Sequence, residues 1–167
     1  MRTRSKSGAV AQSGKVRAHV LIIESRYYDA VGEELLAGAL AALAAAGATH
    51  ERIEVPGALE IPQALKAAVD AGCFNRRRKG AFDGVVVLGC VIRGETSHYD
   101  IVCNNANHWL MRAAMDHGVP VGNAILTVDT KKQAMARARG GVDGKGGDAV
   151  RACLALVALR RTLVDAG

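Results

Sequence analysis

Apolar residues fall along this chain in short solid blocks separated by longer periodic stretches. Val16–Ile23 (VRAHVLII) is apolar and β-branched, and Val31, Leu35, Leu36, Ala39, Leu40 and Leu43 then recur near 3.6 spacing between Tyr28 and Ala46. The pattern predicts a strand, then a helix closed by Gly47 at the C′ position. Thr49–Val55 alternates as a short strand; after Val-Pro-Gly, Leu59–Ala71 reads as a helix, with Pro62 tolerable in its first turn and Gly72 closing it. Asp83–Ile92 (DGVVVLGCVI) is a continuous apolar run, the mark of a strand buried on both faces. Ser97–His117 predicts a long helix ending at Gly118, Val119–Val128 a fourth strand, Thr130–Arg139 a short helix, and Gly147–Val164 a last helix with Leu156, Leu159 and Leu163 on one face.

Strands that alternate with helices imply an α/β fold with a four-stranded parallel sheet and helices on both faces, because each crossover must be right-handed and a dozen residues or more long. Ligands of such sheets sit beyond the carboxyl ends of the strands. The segments expected there are Ser25–Tyr28, Pro56–Glu60, Arg93–His98 and the stretch after Val128.

Composition changes the picture in three places. The chain of 167 residues carries a formal charge of +6, but Arg2, Arg4, Lys6, Lys15 and Arg17 precede any acid, so the rest is close to neutral. A near-neutral body gives no footprint for a nucleic acid, and Arg76-Arg77-Arg78-Lys79 reads as a solvated connection. Residues 1–14 are expected to be a basic flexible arm, or an arm lying on a neighbour, and 15–167 a single domain. The arm lacks the apolar run of about 7–15 residues of a secretory signal, and no stretch nears the roughly 18 apolar residues of a membrane span. The four cysteines, Cys73, Cys90, Cys103 and Cys153, have no CxxC spacing, so small buried thiols are expected rather than a disulfide framework or a zinc site. Reduced thiols fit a cytoplasmic address. Aromatics are scarce, six in all, so one near a site invites a question.

The densest chemistry lies in Gly89–Asn104 (GCVIRGETSHYDIVCN), where a buried strand breaks into Arg-Gly-Glu-Thr-Ser-His and a helix pattern starts at once. Thr96 and Ser97 either cap the first N–H groups of that helix or share them with a bound phosphate. His98 stands in its first turn; an imidazole there can accept and return protons near neutral pH, or merely pack. Glu60 opens a helix at a strand's carboxyl end, which favours the helix dipole and equally suits ligand hydroxyls. Tyr27 can stack on a planar ring or cover the core edge. Arg137 stands at the root of the glycine-rich stretch Gly140–Gly147 and Lys145 lies within it; the stretch reads either as a flexible loop suited to phosphate capture or as a solvated turn.

Taken in chain order, VPGALEIP (55–62), LGCVIRGETSHYDIVCN (88–104), VPVGNAILTVDTKKQAMARA (119–138) and the glycine loop at Lys145 resemble the lumazine synthases of riboflavin biosynthesis over about residues 16–165. The resemblance implies a flavodoxin-like three-layer sandwich, assembly as homopentamers or multiples of them, and sites between adjacent subunits. It implies condensation of 5-amino-6-(D-ribitylamino)uracil with 3,4-dihydroxy-2-butanone 4-phosphate to 6,7-dimethyl-8-ribityllumazine, with loss of phosphate and water and with no metal or organic cofactor. Small molecules are then the substrates, with no nucleic acid or membrane as partner. By the same resemblance Tyr27 stacks on the pyrimidine; Ala58, Leu59 and Glu60 hold it and its ribityl chain; Cys90, Val91 and Ile92 wall it; Glu95 and Thr96 take the phosphate. His98 moves protons, Arg137 reaches the phosphate from a neighbouring subunit, and Lys145 and Asn123 lie near the pyrimidine.

Some positions depart from the family's commoner pattern. Leu59 and Asn123 stand where Phe is frequent, Tyr27-Tyr28 where Phe-Asn is common, Glu95 where a small residue is usual, and GKGG where Asn-Lys-Gly is usual. An acid at 95 beside a phosphate repels it unless the side chain turns outward and leaves its N–H as the donor. The alternative to an enzyme is a non-catalytic lumazine- or flavin-binding protein of the same fold, which has no need for His98 together with Arg137. A riboflavin synthase of the same fold, acting on two lumazines, needs no phosphate site.

Overall fold

The computed structural model describes residues 15–167, so the expected basic arm at 1–14 lies outside the described residues. The elements run β1 (His19–Ser25), α1 (Asp29–Ala46), β2 (Thr49–Val55), α2 (Glu60–Asp70), β3 (Gly84–Ile92), α3 (His98–His117), β4 (Val121–Val128), α4 (Lys131–Ala138), a 3-10 turn at Gly141–Asp143, and α5 (Lys145–Asp165). All strand pairs are parallel and the spatial order is β2-β1-β3-β4. Order reverses between β1 and β3, where crossovers leave in opposite directions and open a crevice.

Side-chain alternation along the two central strands divides the core. Val20, Ile22, Val86 and Leu88 face α1, α4 and α5, whereas Leu21, Ile23, Val85 and Val87 face α2 and α3. Both faces of β3 are covered, which is why its sequence has no polar alternation. The result is a flavodoxin-like three-layer α/β sandwich. At the edge, β2 pairs with β1 through seven residues, yet Thr49–Glu54 are all exposed. Its internal anchor is Arg52, whose Nε donates to Glu24 Oε1 at 2.9 Å from a carboxylate only 1% exposed.

Several element limits differ from the sequence reading by a few residues, and at β1 and the last helix the shift has a clear physical reason. β1 covers His19–Ser25 rather than Val16–Ile23, because the polar pair Glu24-Ser25 is buried and stays in register with Glu54 and Val55. The last helix starts at Lys145 rather than Gly147, since Gly146 and Gly147 are helical residues chosen for closeness. A Cβ at Gly146 would stand 2.0 Å from the Leu35 carbonyl oxygen, and one at Gly147 1.9 Å from that of Val142. Gly140–Gly147 is therefore not a flexible loop: its second half is a backbone-to-backbone seam against α1 and the 3-10 turn.

Candidate active site

A cleft of about 320 Å³ opens beyond the carboxyl ends of β1, β2 and β3, at the point where strand order reverses. Three strand-to-helix turns build it. The first supplies Tyr27 and Tyr28, the second Gly57, Ala58, Leu59 and Glu60, and the third Cys90, Val91, Ile92, Gly94, Thr96 and His98, with Tyr99 and Val102 following on α3.

The first turn gives the cleft an aromatic wall. Tyr27 is 73% exposed and meets Tyr28 edge-on, with ring centroids 5.0 Å apart at 72°. Tyr28 is half-buried, and that burial, with Tyr27 and Cys90 nearby, raises its phenol above the usual value. An exposed ring fixed by a second ring is a ready stacking platform for a planar ligand. In the second turn Glu60 is the first residue of α2, and its carboxylate curls back over Gly57, where a Cβ would lie 2.9 Å from Oε2. Glycine at 57 leaves room for a carboxylate facing the cleft.

The third turn carries the polar chemistry. β3 ends with Cys90 buried and Val91 and Ile92 half-buried. Burial pushes the Cys90 thiol up to about 11, with Cys103 adding to the rise, so it is neutral at physiological pH and acts as wall, not nucleophile. Gly94–Ser97 is exposed, and the N–H groups of Gly94, Glu95, Thr96 and Ser97 find no acceptor among the described residues. Ser97, at the N-cap of α3, makes no side-chain cap bond; the Thr96 hydroxyl instead accepts from the His98 N–H at 3.3 Å. Unpaired N–H groups beside a helix start form a site for an anion. His98 is the first residue of α3, and its imidazole borders both this turn and the tyrosine wall.

Of the site residues expected from sequence, Tyr27, Ala58, Leu59, Glu60, Cys90, Val91, Ile92, Thr96 and His98 come together in this cleft. Glu95 is exposed and is not among the residues that line the cleft. Asn123, Arg137 and Lys145 are not in the cleft of their own chain. Asn123 lies midway along β4, donating to Asn107 Oδ1 at 2.8 Å and accepting from the Ile125 N–H at 2.9 Å. Arg137 sits on the exposed side of α4, where Nη1 donates to the Gln133 carbonyl at 3.0 Å and no carboxylate among the described residues pairs with it. Lys145 opens α5 and binds Asp148 at 2.9 Å; with Arg151 it holds that carboxyl below the usual carboxylate range.

Tyr28, Gly57 and Gly94 lie in the segments expected at the ligand end without being singled out there, and Tyr99 and Val102 are outside them; Val102 lies four residues after His98 on one helix face, and all three tyrosines of the chain line the cleft. Among the described residues no three His, Cys, Asp or Glu side chains converge as metal ligands do, and no helix is long and apolar enough to cross a membrane.

Comparison with known proteins gives a consistent result. The family model for 6,7-dimethyl-8-ribityllumazine synthase matches residues 17–161. A protein of that name from Azorhizobium caulinodans is 52% identical over 156 residues, covering 93% of this chain and 94% of its own. One from Methylocella silvestris is 54% identical over 145 residues, 86% of each chain, and one from Xanthobacter autotrophicus 50% identical over 162 residues, 97% and 96%.

Proposed function

The chain belongs to the 6,7-dimethyl-8-ribityllumazine synthase family, a transferase family of riboflavin biosynthesis, and on that premise we propose how its cleft divides the work between two substrates. The reaction condenses 5-amino-6-(D-ribitylamino)uracil with 3,4-dihydroxy-2-butanone 4-phosphate to 6,7-dimethyl-8-ribityllumazine. Family membership does not favour the alternative of a non-catalytic binding protein.

The pyrimidine stacks on Tyr27 and is read by backbone groups of Cys90, Val91 and Ile92, while Ala58, Leu59 and Glu60 hold the ribityl chain, the carboxylate on its hydroxyls. The phosphate ester rests on the free N–H groups of Gly94–Ser97 and on the Thr96 hydroxyl, with Glu95 contributing its backbone alone. The observation that carries this reading is the juxtaposition, in one cleft, of an exposed aromatic wall, an unpaired N–H turn and His98. Attack of the 5-amino nitrogen on the ketone expels one water as the imine forms; the phosphate is then eliminated, and ring closure by the ribitylamino nitrogen on the remaining carbonyl expels a second water. Each step moves a proton, and one imidazole can do so repeatedly, a contribution of roughly 10²–10⁴ in rate. Holding both substrates together supplies much of the remainder.

Departure of a phosphate dianion calls for a cation; no Lys or Arg lines the cleft of one chain, and Arg93, next to the turn, is paired with Asp100 and Asp129. Arg137, without a carboxylate partner on its own α4, is the residue we assign to the cleft of an adjacent copy, with Lys145 and Asn123 from the same neighbour near the pyrimidine. A shared site requires a homo-oligomer, and a pentamer or a multiple of pentamers in the cytoplasm is the form we propose. The direct test is to mix purified protein with both substrates and follow lumazine absorbance. Product that appears only when both are present supports the reading; no product from folded, assembled protein contradicts it.

A further inference from the structure

Arg93 directly follows β3 and immediately precedes the turn at Gly94–Ser97, yet it is not among the residues that line the cleft. Its guanidinium carbon lies 4.2 Å from the centroid of the Tyr99 ring. Nε donates to Asp129 Oδ1 at 3.0 Å, and Nη1 stands 3.6 Å from Asp100 Oδ1. Its own backbone N–H donates to the Val128 carbonyl at 2.9 Å. Asp129 is fixed in turn, because its N–H donates to Gln133 Oε1 at 2.8 Å and the next residue, Thr130, caps α4 by accepting from the Gln133 N–H at 3.2 Å. One side chain thus joins the end of β4, the start of α4 and the first turn of α3.

The turn between these points has little to hold it. Ser97 does not cap the helix, the N–H groups from Gly94 to Ser97 are free, and every residue from Arg93 to His98 is exposed. A segment whose donors must stay open for an anion cannot fix itself with those donors. Arg93 is also a poor candidate for holding phosphate directly. Its guanidinium faces two carboxylates and an aromatic face, and the hydrogen bond to Asp129, more than the charge of Asp100, raises its pKa.

We propose that Arg93 is a positioning residue for the reaction: by spanning Tyr99, Asp100 and Asp129 it fixes the turn that presents Thr96 and His98 to the substrates. The inference rests on the reading above, that phosphate and proton chemistry take place at this turn. Exposed ion pairs add little to global stability, so the effect belongs in turnover, where a displacement of about 1 Å can cost on the order of a hundredfold. A lysine can reach one carboxylate but can neither fork between two nor lie flat on a ring.

The test compares Arg93→Ala, Arg93→Lys, Asp129→Ala and the Arg93→Ala/Asp129→Ala double variant in the full, assembled protein, by steady-state turnover and by amide hydrogen exchange. Exchange across residues 94–100 is expected to quicken in both alanine variants. For Arg93→Ala, kcat falls about tenfold or more, while KM for the pyrimidine stays within about twofold. Arg93→Lys recovers part of the loss, and the double variant is no worse than Arg93→Ala alone, since both changes break one clamp. Losses that multiply in the double variant, unchanged exchange at the turn, or quickened exchange with unchanged kcat would each overturn the inference. A parent protein without turnover, or His98→Ala with the parent's kcat, contradicts instead the reading on which it rests, and hydrogen exchange still judges the clamp.

Discussion

The turn at Gly94–Ser97 and the glycine run at Gly140–Gly147 each lead into a long helix, and each is associated with a basic residue, Arg93 just before the turn and Lys145 within the run. Around Gly94 there is open space, with nothing within 4 Å of where a Cβ would be. Around Gly146 and Gly147 there is none: main-chain oxygens of α1 and the 3-10 turn stand at 2.0 and 1.9 Å from the same position. In the first turn glycine leaves backbone donors open to a ligand; in the second it lets two backbones touch. Glycine content alone therefore says little about mobility or anion binding, and the neighbours in space decide which of the two it serves.

The largest contrast is expected from His98→Ala, which removes the proposed proton carrier from the open turn. It should lower kcat by roughly 10²–10⁴ with pyrimidine affinity nearly unchanged, as measured by steady-state kinetics and direct titration. Next comes Gly147→Ala, whose methyl must displace the Val142 carbonyl. Thermal or urea unfolding should show a loss of about 3 kcal/mol or more, the upper end of overpacking costs.

Alkaline pH separates the regions as well. Burial pushes Cys153, packed beside Gly84 and Gly122 on the seam side of the sheet, from 9.0 up to about 12, and Cys90 in the cleft wall from 9.0 up to about 11. The folded state keeps both thiols protonated where the unfolded chain ionises. Their contribution is thus complete below pH 9, falls as pH rises, and is gone above about 12. Replacing Cys153 with Ala should flatten the alkaline stability profile more than replacing Cys90. Arg137→Ala should raise KM for the phosphate substrate about tenfold, in the range of one lost charged hydrogen bond, with stability unaltered. Smallest of all, Gly94→Ala should change unfolding free energy by less than about 0.5 kcal/mol, as expected for an exposed position.

Much of this was legible in the chain. The continuous apolar run of β3 marks a strand covered on both faces, and the alternation of strands and helices fixes a parallel sheet with its ligand end. The strand order puts Tyr27, Glu60 and His98, from three separate turns, at that end, and they line one cleft. What stayed hidden depends on tertiary neighbours. Glu24 and Ser25 read as lying beyond β1 but are buried within it, Arg52 on the edge strand supplying a partner for the acid. Gly146 and Gly147 read as a loop because a contact with the Leu35 and Val142 carbonyls leaves no periodic trace. Arg93 looked like one basic residue among many; its role is defined by Asp100, Asp129 and Tyr99, of which Asp129 lies 36 residues away.

The cleft holds His98 and the turn with unpaired N–H groups, while Arg137, proposed to meet the departing phosphate, lies outside it on α4. Whether two copies share a site is tested most directly by mixing. His98→Ala and Arg137→Ala chains are unfolded together, refolded as mixed oligomers, and assayed at phosphate-substrate concentrations well below the parent KM. Shared sites predict turnover above the sum of the two variants refolded separately, because some interfaces pair an intact His98 from one chain with an intact Arg137 from the other. Turnover no greater than that sum, in oligomers shown to contain both chains, would contradict it.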